Sequence, residues 1–149
     1  MRAFFAIAVV LGLFLAIPAA AATPDAAMAP VTVTPSQVQW QSSSMLPSGG
    51  KMAVLGGDLA KPGYYTVRIM LPDGATFPPH THAGTEYLTV IQGTFMVGLG
   101  NTVDAATMTA LPAGSYAAMP AGVAHYAMAK GDTIVQLSGM GPFTMTMVK

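Results

Sequence analysis

The chain has 149 residues, of which 52% are apolar and only 8% are charged, and six basic side chains balance six acidic ones. This length supplies one well-buried core, and the composition excludes a disordered, highly charged chain. The even charge balance gives no basic surface for nucleic acid and no polybasic membrane patch. The absence of cysteine excludes disulfides, thiol nucleophiles and zinc–thiolate sites.

Residues 1–22 have the organisation of a secretory signal peptide. Arg2 provides a positive charge, residues 3–17 form an apolar run, Pro18 interrupts it, and residues 19–22 are alanines that offer cleavage sites. The alternative is an uncleaved membrane anchor, which the proline and the short apolar core disfavour. We therefore expect cleavage, a periplasmic or secreted mature protein, and no association with the membrane afterwards.

Residues 23–50 are rich in Ala, Pro, Ser, Thr and Gln, which predicts a loose N-terminal arm in front of the main domain. Within the arm, the short stretch 31–33 is a candidate for pairing at a sheet edge. Trp40 is the only tryptophan, and we expect it to pack on the exterior of the fold or over one rim.

From residue 51 to residue 149, short apolar runs alternate with turn signals such as Lys130-Gly131-Asp132. The pattern predicts ten strands, at residues 52–55, 64–71, 77–82, 86–92, 94–99, 107–111, 115–119, 123–129, 133–138 and 143–148. Many short strands at regular spacing predict an all-β single domain, either a sandwich or a barrel.

All three histidines and the only glutamate of the chain form one compact pattern. His80, His82 and Glu86 lie within seven residues of one another, and His125 lies in a later predicted strand. If the chain is extended around residue 81, the first two imidazoles point to the same face. Three imidazoles and a carboxylate meeting inside a barrel would bind one divalent transition metal, namely iron, manganese, nickel, copper or zinc. The alternative is four unconnected residues, which the shared spacing disfavours.

Two stretches around these residues resemble the conserved motifs of the cupin superfamily. The first is Gly74-Ala-Thr-Phe-Pro-Pro-His80-Thr-His82-Ala-Gly-Thr-Glu86 followed by Gly93, and the second is Gly114, Pro120-Ala121-Gly122 and His125. One departure is Ala129, where the family often has asparagine, so a hydrogen-bonding group of the pocket is missing.

The resemblance to small single-domain exported cupins implies a fold and a ligand set. The implied fold is a single antiparallel jelly-roll β-barrel, and the implied metal ligands are His80, His82, Glu86 and His125. Because such proteins are often dimeric, the resemblance also implies a homodimer.

Strand alternation predicts which side chains surround the site. The side chains expected on its side are Leu88, Val90, Val123, Ala127 and Ala129. Arg68 is the one charge within its strand, and it either lines the pocket and holds an anionic group or lies on the outer face. Tyr87 and Tyr126 follow ligands directly and should point away from the metal.

The remaining residues leave little chemistry outside the metal. The other acids lie mostly in turns, and no histidine is left over for a Ser-His-Asp triad. A copper(I) site that uses the thioethers of Met145 and Met147 is conceivable, but methionine as core filler is favoured. We interpret the protein as a metal-dependent, dioxygenase-like oxidoreductase acting on a small organic substrate. The alternatives are a non-catalytic module that binds a metal or a small ligand, and a metal-dependent isomerase or lyase.

Overall fold

The computed structural model describes residues 30–149, which form antiparallel strands and two 3-10 turns, Pro35–Gln37 and Ala105–Thr107. The strands are β1 (Gln41–Ser42), β2 (Lys51–Gly56), β3 (Gly63–Leu71), β4 (Thr76–Thr81), β5 (Glu86–Leu99), β6 (Thr109–Pro112), β7 (Tyr116–Met119), β8 (His125–Gly141) and β9 (Thr146–Met147). The predicted signal peptide, residues 1–22, lies outside the described residues. Within residues 30–149, no helix combines the length and apolar character needed to cross a membrane.

Two long strands, β5 and β8, each contribute to both layers of the fold. The first half of β5 pairs with β7 and with the second half of β8, which in turn pairs with β3. The second half of β5 pairs with β6 and with the first half of β8, which in turn pairs with β4. β2 and β1 extend the first layer, and β9 extends the second. The result is an all-β antiparallel jelly roll, in which strand pairing does not close into a complete ring.

The prediction of separate strands at 86–92 and 94–99, and at 123–129 and 133–138, was wrong. Each pair is one continuous strand with a bulge at a glycine. Gly93 and Gly131 have φ angles of +76° and +74°, and the register between β5 and β8 shifts at this point. A left-handed glycine within a strand produces a bulge and a bend, which the sequence pattern does not distinguish from a turn.

The core lies between the two layers, and β3 illustrates how the sequence builds it. Along this strand Tyr65, Val67, Ile69 and Leu71 are buried, and the residues between them face outward. This is the period of two expected for a strand with one buried face. Facing side chains from β5 and β8 complete the same cluster.

The segment expected to be a loose arm is ordered in its described part. Residues 31–33 form no strand, whereas Gln41–Ser42 pairs with β2. Val38 is buried, Trp40 is half-buried, and Leu46 packs against the core cluster. The end of the predicted arm is therefore part of the folded domain. Of the predicted strand 143–148, only Thr146–Met147 is formed.

Candidate metal centre

Strand pairing brings the three histidines together at one end of the fold. His80 in β4 lies directly opposite His125 in β8, and His82 follows two residues later on the same face. Glu86 is the first residue of β5 and approaches the histidines from the other layer. All four side chains are buried, with residual exposures between 4% and 7%.

Each imidazole is oriented by a main-chain carbonyl that contacts its Nδ1 atom. The distances are 2.6 Å from His80 to Pro78 O, 2.7 Å from His82 to Thr144 O, and 3.1 Å from His125 to Val123 O. Because a carbonyl oxygen can only accept, Nδ1 donates in each case and Nε2 of the neutral ring carries a free lone pair. This is the tautomer in which a histidine binds a metal through Nε2.

The ligand atoms of the three histidines lie close to one another, and the Nε2 atoms of His82 and His125 also lie near the Glu86 carboxylate. The three histidines can each offer a ligand atom within 4.8 Å of the others. Glu86 Oε1 lies 3.6 Å from His82 Nε2, and Oε2 lies 3.8 Å from His125 Nε2. His82 Nε2 is fully buried and has no hydrogen-bond partner among residues 30–149. A buried acceptor without a donor is costly, and a bound cation would satisfy it.

The pKa values of these groups are shifted mainly by burial. Burial lowers the pKa of His80 and His82 below the usual value for histidine and lowers that of His125 to about 4. Burial raises the pKa of Glu86 to about 7, an effect that the nearby His80 partly opposes. The histidines therefore stay neutral at neutral pH, which is the state required of metal ligands.

The donor set fits a divalent transition metal. Three neutral imidazole nitrogens with a carboxylate beside them provide the borderline nitrogen and oxygen ligands that such metals take in proteins. The buried Nε2 atom of His82 has no hydrogen-bond partner in the described chain, and a cation bound beside it would interact with its lone pair. The histidine group could accordingly bind a metal ion.

A largely apolar cavity of about 70 Å³, open at one side, adjoins these residues. Its walls come from both layers and include Leu88, Phe95, Val97, Met119, Ala127 and Phe143. A small organic molecule in this cavity would be in contact with the histidine group.

The predicted pocket residues occupy three kinds of position. Leu88 and Ala127 line the cavity. Val90 and Ala129 are buried in the core but are not among the residues that line it. Arg68 lies on the outer face of β3, where its Nε donates a hydrogen bond of 3.1 Å to Gln136 Oε1. It does not line the cavity, because its neighbours in the strand take the inward positions.

Val123 was expected on the site side, but it precedes β8 and its side chain is exposed. It contributes only the carbonyl that accepts from His125. Tyr87 is exposed, and Tyr126 points to the face opposite His125, where its hydroxyl donates to Asp104 O at 3.1 Å and accepts from Asp104 N at 3.0 Å. Both tyrosines point away from the site, as predicted.

Sequence reasoning missed the cavity residues that lie far from the motifs. Met45 and Leu46 line the cavity although they belong to the predicted arm. Tyr65 also lines it, and burial, reinforced by the charge of Glu86, raises the Tyr65 pKa to about 12. The sequence could have indicated Tyr65, because this residue belongs to the alternating set of apolar residues that are buried along β3.

The jelly-roll fold and the buried histidine group between its layers define the protein as a cupin. Sequence comparison agrees, since residues 28–144 match the ChrR cupin-like domain family. The chain belongs to that family, which confirms the resemblance to small single-domain cupins. No curated protein matches the chain in sequence.

Solved structures share this fold at low sequence identity. An RmlC-like cupin from Shewanella frigidimarina has a TM-score of 0.58 and 21% identity, covering 72% of this chain and 87% of its own. The polyketide cyclase RemF from Streptomyces resistomycificus has a TM-score of 0.65 and 14% identity, with coverages of 79% and 84%. A proposed acetylacetone dioxygenase from Methylibium petroleiphilum has a TM-score of 0.63 and 20% identity, with coverages of 80% and 82%. At these identities the similarity establishes the fold.

Proposed function

We propose that this cupin binds one divalent transition metal through His80, His82, His125 and Glu86, and that it is a dioxygenase-like oxidoreductase acting on a small organic substrate. The observation that supports it is the set of three proton-free Nε2 atoms beside a buried carboxylate, at the wall of an apolar cavity. Iron, manganese, nickel, copper and zinc all suit these donors.

Each part of the site has a defined role in this proposal. When bound, the metal supplies Lewis acidity and, if it is redox-active, one-electron chemistry. The main-chain carbonyls fix the histidine rings, and Glu86 neutralises part of the cation's charge. The apolar walls exclude bulk water from the reacting centre. Apart from these four ligands, Tyr65 is the only titratable residue of the described chain that lines the cavity. No carboxylate pair is therefore available there for acid–base catalysis without metal.

The fold neighbours support enzymatic chemistry without specifying it. They include proteins named as a polyketide cyclase and as a proposed acetylacetone dioxygenase. Because one fold hosts many reactions, the reaction class is inferred from the site rather than from these names.

Elemental analysis followed by oxygen-uptake measurements tests the proposal. Purified protein should contain one equivalent of a transition metal, and protein loaded with a redox-active metal should consume oxygen with at least one phenol, thiol, diketone or small acid. Metal-loaded protein that binds these compounds without turnover would support the alternative, a non-catalytic binding module. A protein that takes up no metal would contradict the metal-dependent enzyme and leave only a module that binds a small ligand.

We also propose that the protein is exported and acts in the periplasm or outside the cell, which rests on the signal-like residues 1–22. Intact-mass measurement of the exported protein should give a mature N-terminus near Ala22 or Thr23. Retention of Met1 or Arg2 would contradict cleavage.

A homodimer is a further part of the proposal. Exposed tyrosine and methionine side chains on the outer sheet face, including Tyr64, Tyr87 and Met140, support it. Light scattering coupled to gel filtration should give twice the mass of the mature chain.

A further inference from the structure

The cavity wall contains very little polar chemistry outside the candidate metal ligands. Among the described residues, Tyr65 is the one polar side chain that lines the cavity besides the three histidines and Glu86. No lysine, arginine, amide or small hydroxyl side chain belongs to the lining, and Arg68 lies on the opposite face of its strand. The cavity thus offers no protein cation to an anionic ligand.

This composition selects against anions. A carboxylate or phosphate group that enters an apolar cavity loses its hydration and needs a cation or several donors in return. Here it would meet the carboxylate of Glu86 and apolar side chains instead. A neutral molecule with an apolar body loses little hydration and gains contact with the cavity walls.

Tyr65 is buried and packs closely against two neighbours. Its ring lies against Gly139, where an added Cβ would be 2.7 Å from the hydroxyl oxygen and 3.2 Å from Thr85 O. Its edge also meets Phe143 at a centroid distance of 6.0 Å, and Phe143 in turn lies 5.1 Å from the His82 ring. Its hydroxyl makes no hydrogen bond with another described residue. The donor is therefore positioned near the start of β5 and remains free for a ligand.

We propose that the cavity binds a small, neutral, largely apolar ligand that carries a hydrogen-bond acceptor, and that the Tyr65 hydroxyl donates to this acceptor. The inference goes beyond the proposed function and does not depend on it, since the cavity and Tyr65 do not require a metal. For the metal-free cavity it favours neutral molecules such as ketones, esters, amides and un-ionised phenols over carboxylates and phosphates.

The test uses the metal-free mature protein, so that a metal cannot coordinate the probe. Benzamide and benzoate have nearly the same shape and differ in charge, and toluene lacks the acceptor. Binding is measured by titration calorimetry or by NMR at pH 8. We expect benzamide to bind at least tenfold more tightly than benzoate, and toluene to bind detectably.

Two matched variants test the role of Tyr65. Tyr65→Phe should weaken benzamide binding about fivefold, the value of one ordinary hydrogen bond, and should leave toluene binding unchanged. Tyr64→Phe removes the neighbouring hydroxyl, which belongs to an exposed side chain on the outer face, and should change neither. Unchanged toluene binding also shows that the cavity of each variant is intact.

Three results would overturn the proposal: benzoate bound as tightly as benzamide, equal benzamide affinity in Tyr65→Phe and the parent, or no binding of any probe. Failure of the proposed function is seen separately, as absence of metal or of oxygen uptake in the parent protein.

Discussion

The Nε2 atom of His82 lies 3.6 Å from Oε1 of Glu86, with no hydrogen-bond partner in the described chain. Both atoms are acceptors when the imidazole is neutral and the carboxylate is ionised, so their lone pairs face each other in a buried site. A cation between them, or a proton on Glu86, relieves this repulsion.

Removal of a single imidazole should abolish most metal binding. His82→Ala and His125→Ala each delete one donor of the proposed shell, so metal content after dialysis should fall from about one equivalent to well below half. Thr81→Ala changes the residue between two ligands and should retain the metal, because alternate side chains of a strand face opposite sides. Elemental analysis gives the answer, and full metal content in both histidine variants would contradict the assignment.

Chelation should destabilise the native protein. A metal that binds only the folded state stabilises it by RT ln(1 + [L]/Kd), about 2.7 kcal/mol at a hundredfold excess over Kd. Calorimetry with and without a chelator should therefore show a fall of several degrees in Tm. The His82→Ala protein supplies the control, because its Tm should not respond to the chelator. Identical melting curves for the parent would mean that these residues hold no metal.

Glu86→Gln should stabilise the metal-free protein, but only at high pH. Burial raises the pKa of Glu86 from 4.5 to about 7, so its contribution favours the folded state at low pH and is lost as the pH rises through 7. The glutamine keeps the size and removes the charge. Metal-free Glu86→Gln should melt several degrees above the metal-free parent at about pH 8 and near it at about pH 4.5.

The histidines do not obscure this comparison. Their lowered pKa values oppose folding as the pH falls below 6.5, but they do so in both proteins and largely cancel in the difference. If the difference in Tm between Glu86→Gln and the parent did not change with pH, the pKa of Glu86 would not be raised by burial of its charge. With metal present, the order should reverse, because the glutamine is the weaker ligand.

Gly98→Ala should destabilise the fold away from the metal site. A Cβ at Gly98 would overlap the ring of Tyr126, whose side chain is buried and whose hydroxyl donates a hydrogen bond to Asp104 O. Relief of this overlap requires the ring to move, and overpacking of this kind costs about 1–3 kcal/mol. Gly56→Ala is the matched control, since an added Cβ there meets nothing within 4 Å. Denaturant unfolding should separate the two variants, and equal stabilities would disprove the packing argument.

Most of the fold was predictable because its signals are local. A period of two with buried apolar residues identifies β3, and the same period places His80 and His82 on one face. The convergence of His125 on this pair needs strand pairing between β4 and β8, and there the family resemblance supplied what periodicity alone could not.

Features that depend on distant contacts were not predictable. Gly93 and Gly131 look like turn residues, yet both lie within continuous strands, because only tertiary pairing distinguishes a bulge from a turn. The polar composition of the N-terminal segment gave no sign that Met45 and Leu46 would line the cavity. The outward orientation of Arg68 follows from the alternation of buried residues along β3. The same alternation is visible in the sequence, but the charge of Arg68 suggested a second role in the pocket.

The carbonyl acceptors of the three imidazoles also bear on how this site tolerates change. Pro78, Thr144 and Val123 contribute main-chain atoms, and every amino acid carries the same carbonyl. Side chains at these three positions can therefore be exchanged without removing the acceptors that set the histidine tautomers, provided that the backbone keeps its path. Mutational drift or laboratory evolution can thus change the side chains at these three positions while the orientation of the imidazoles is kept by the main chain.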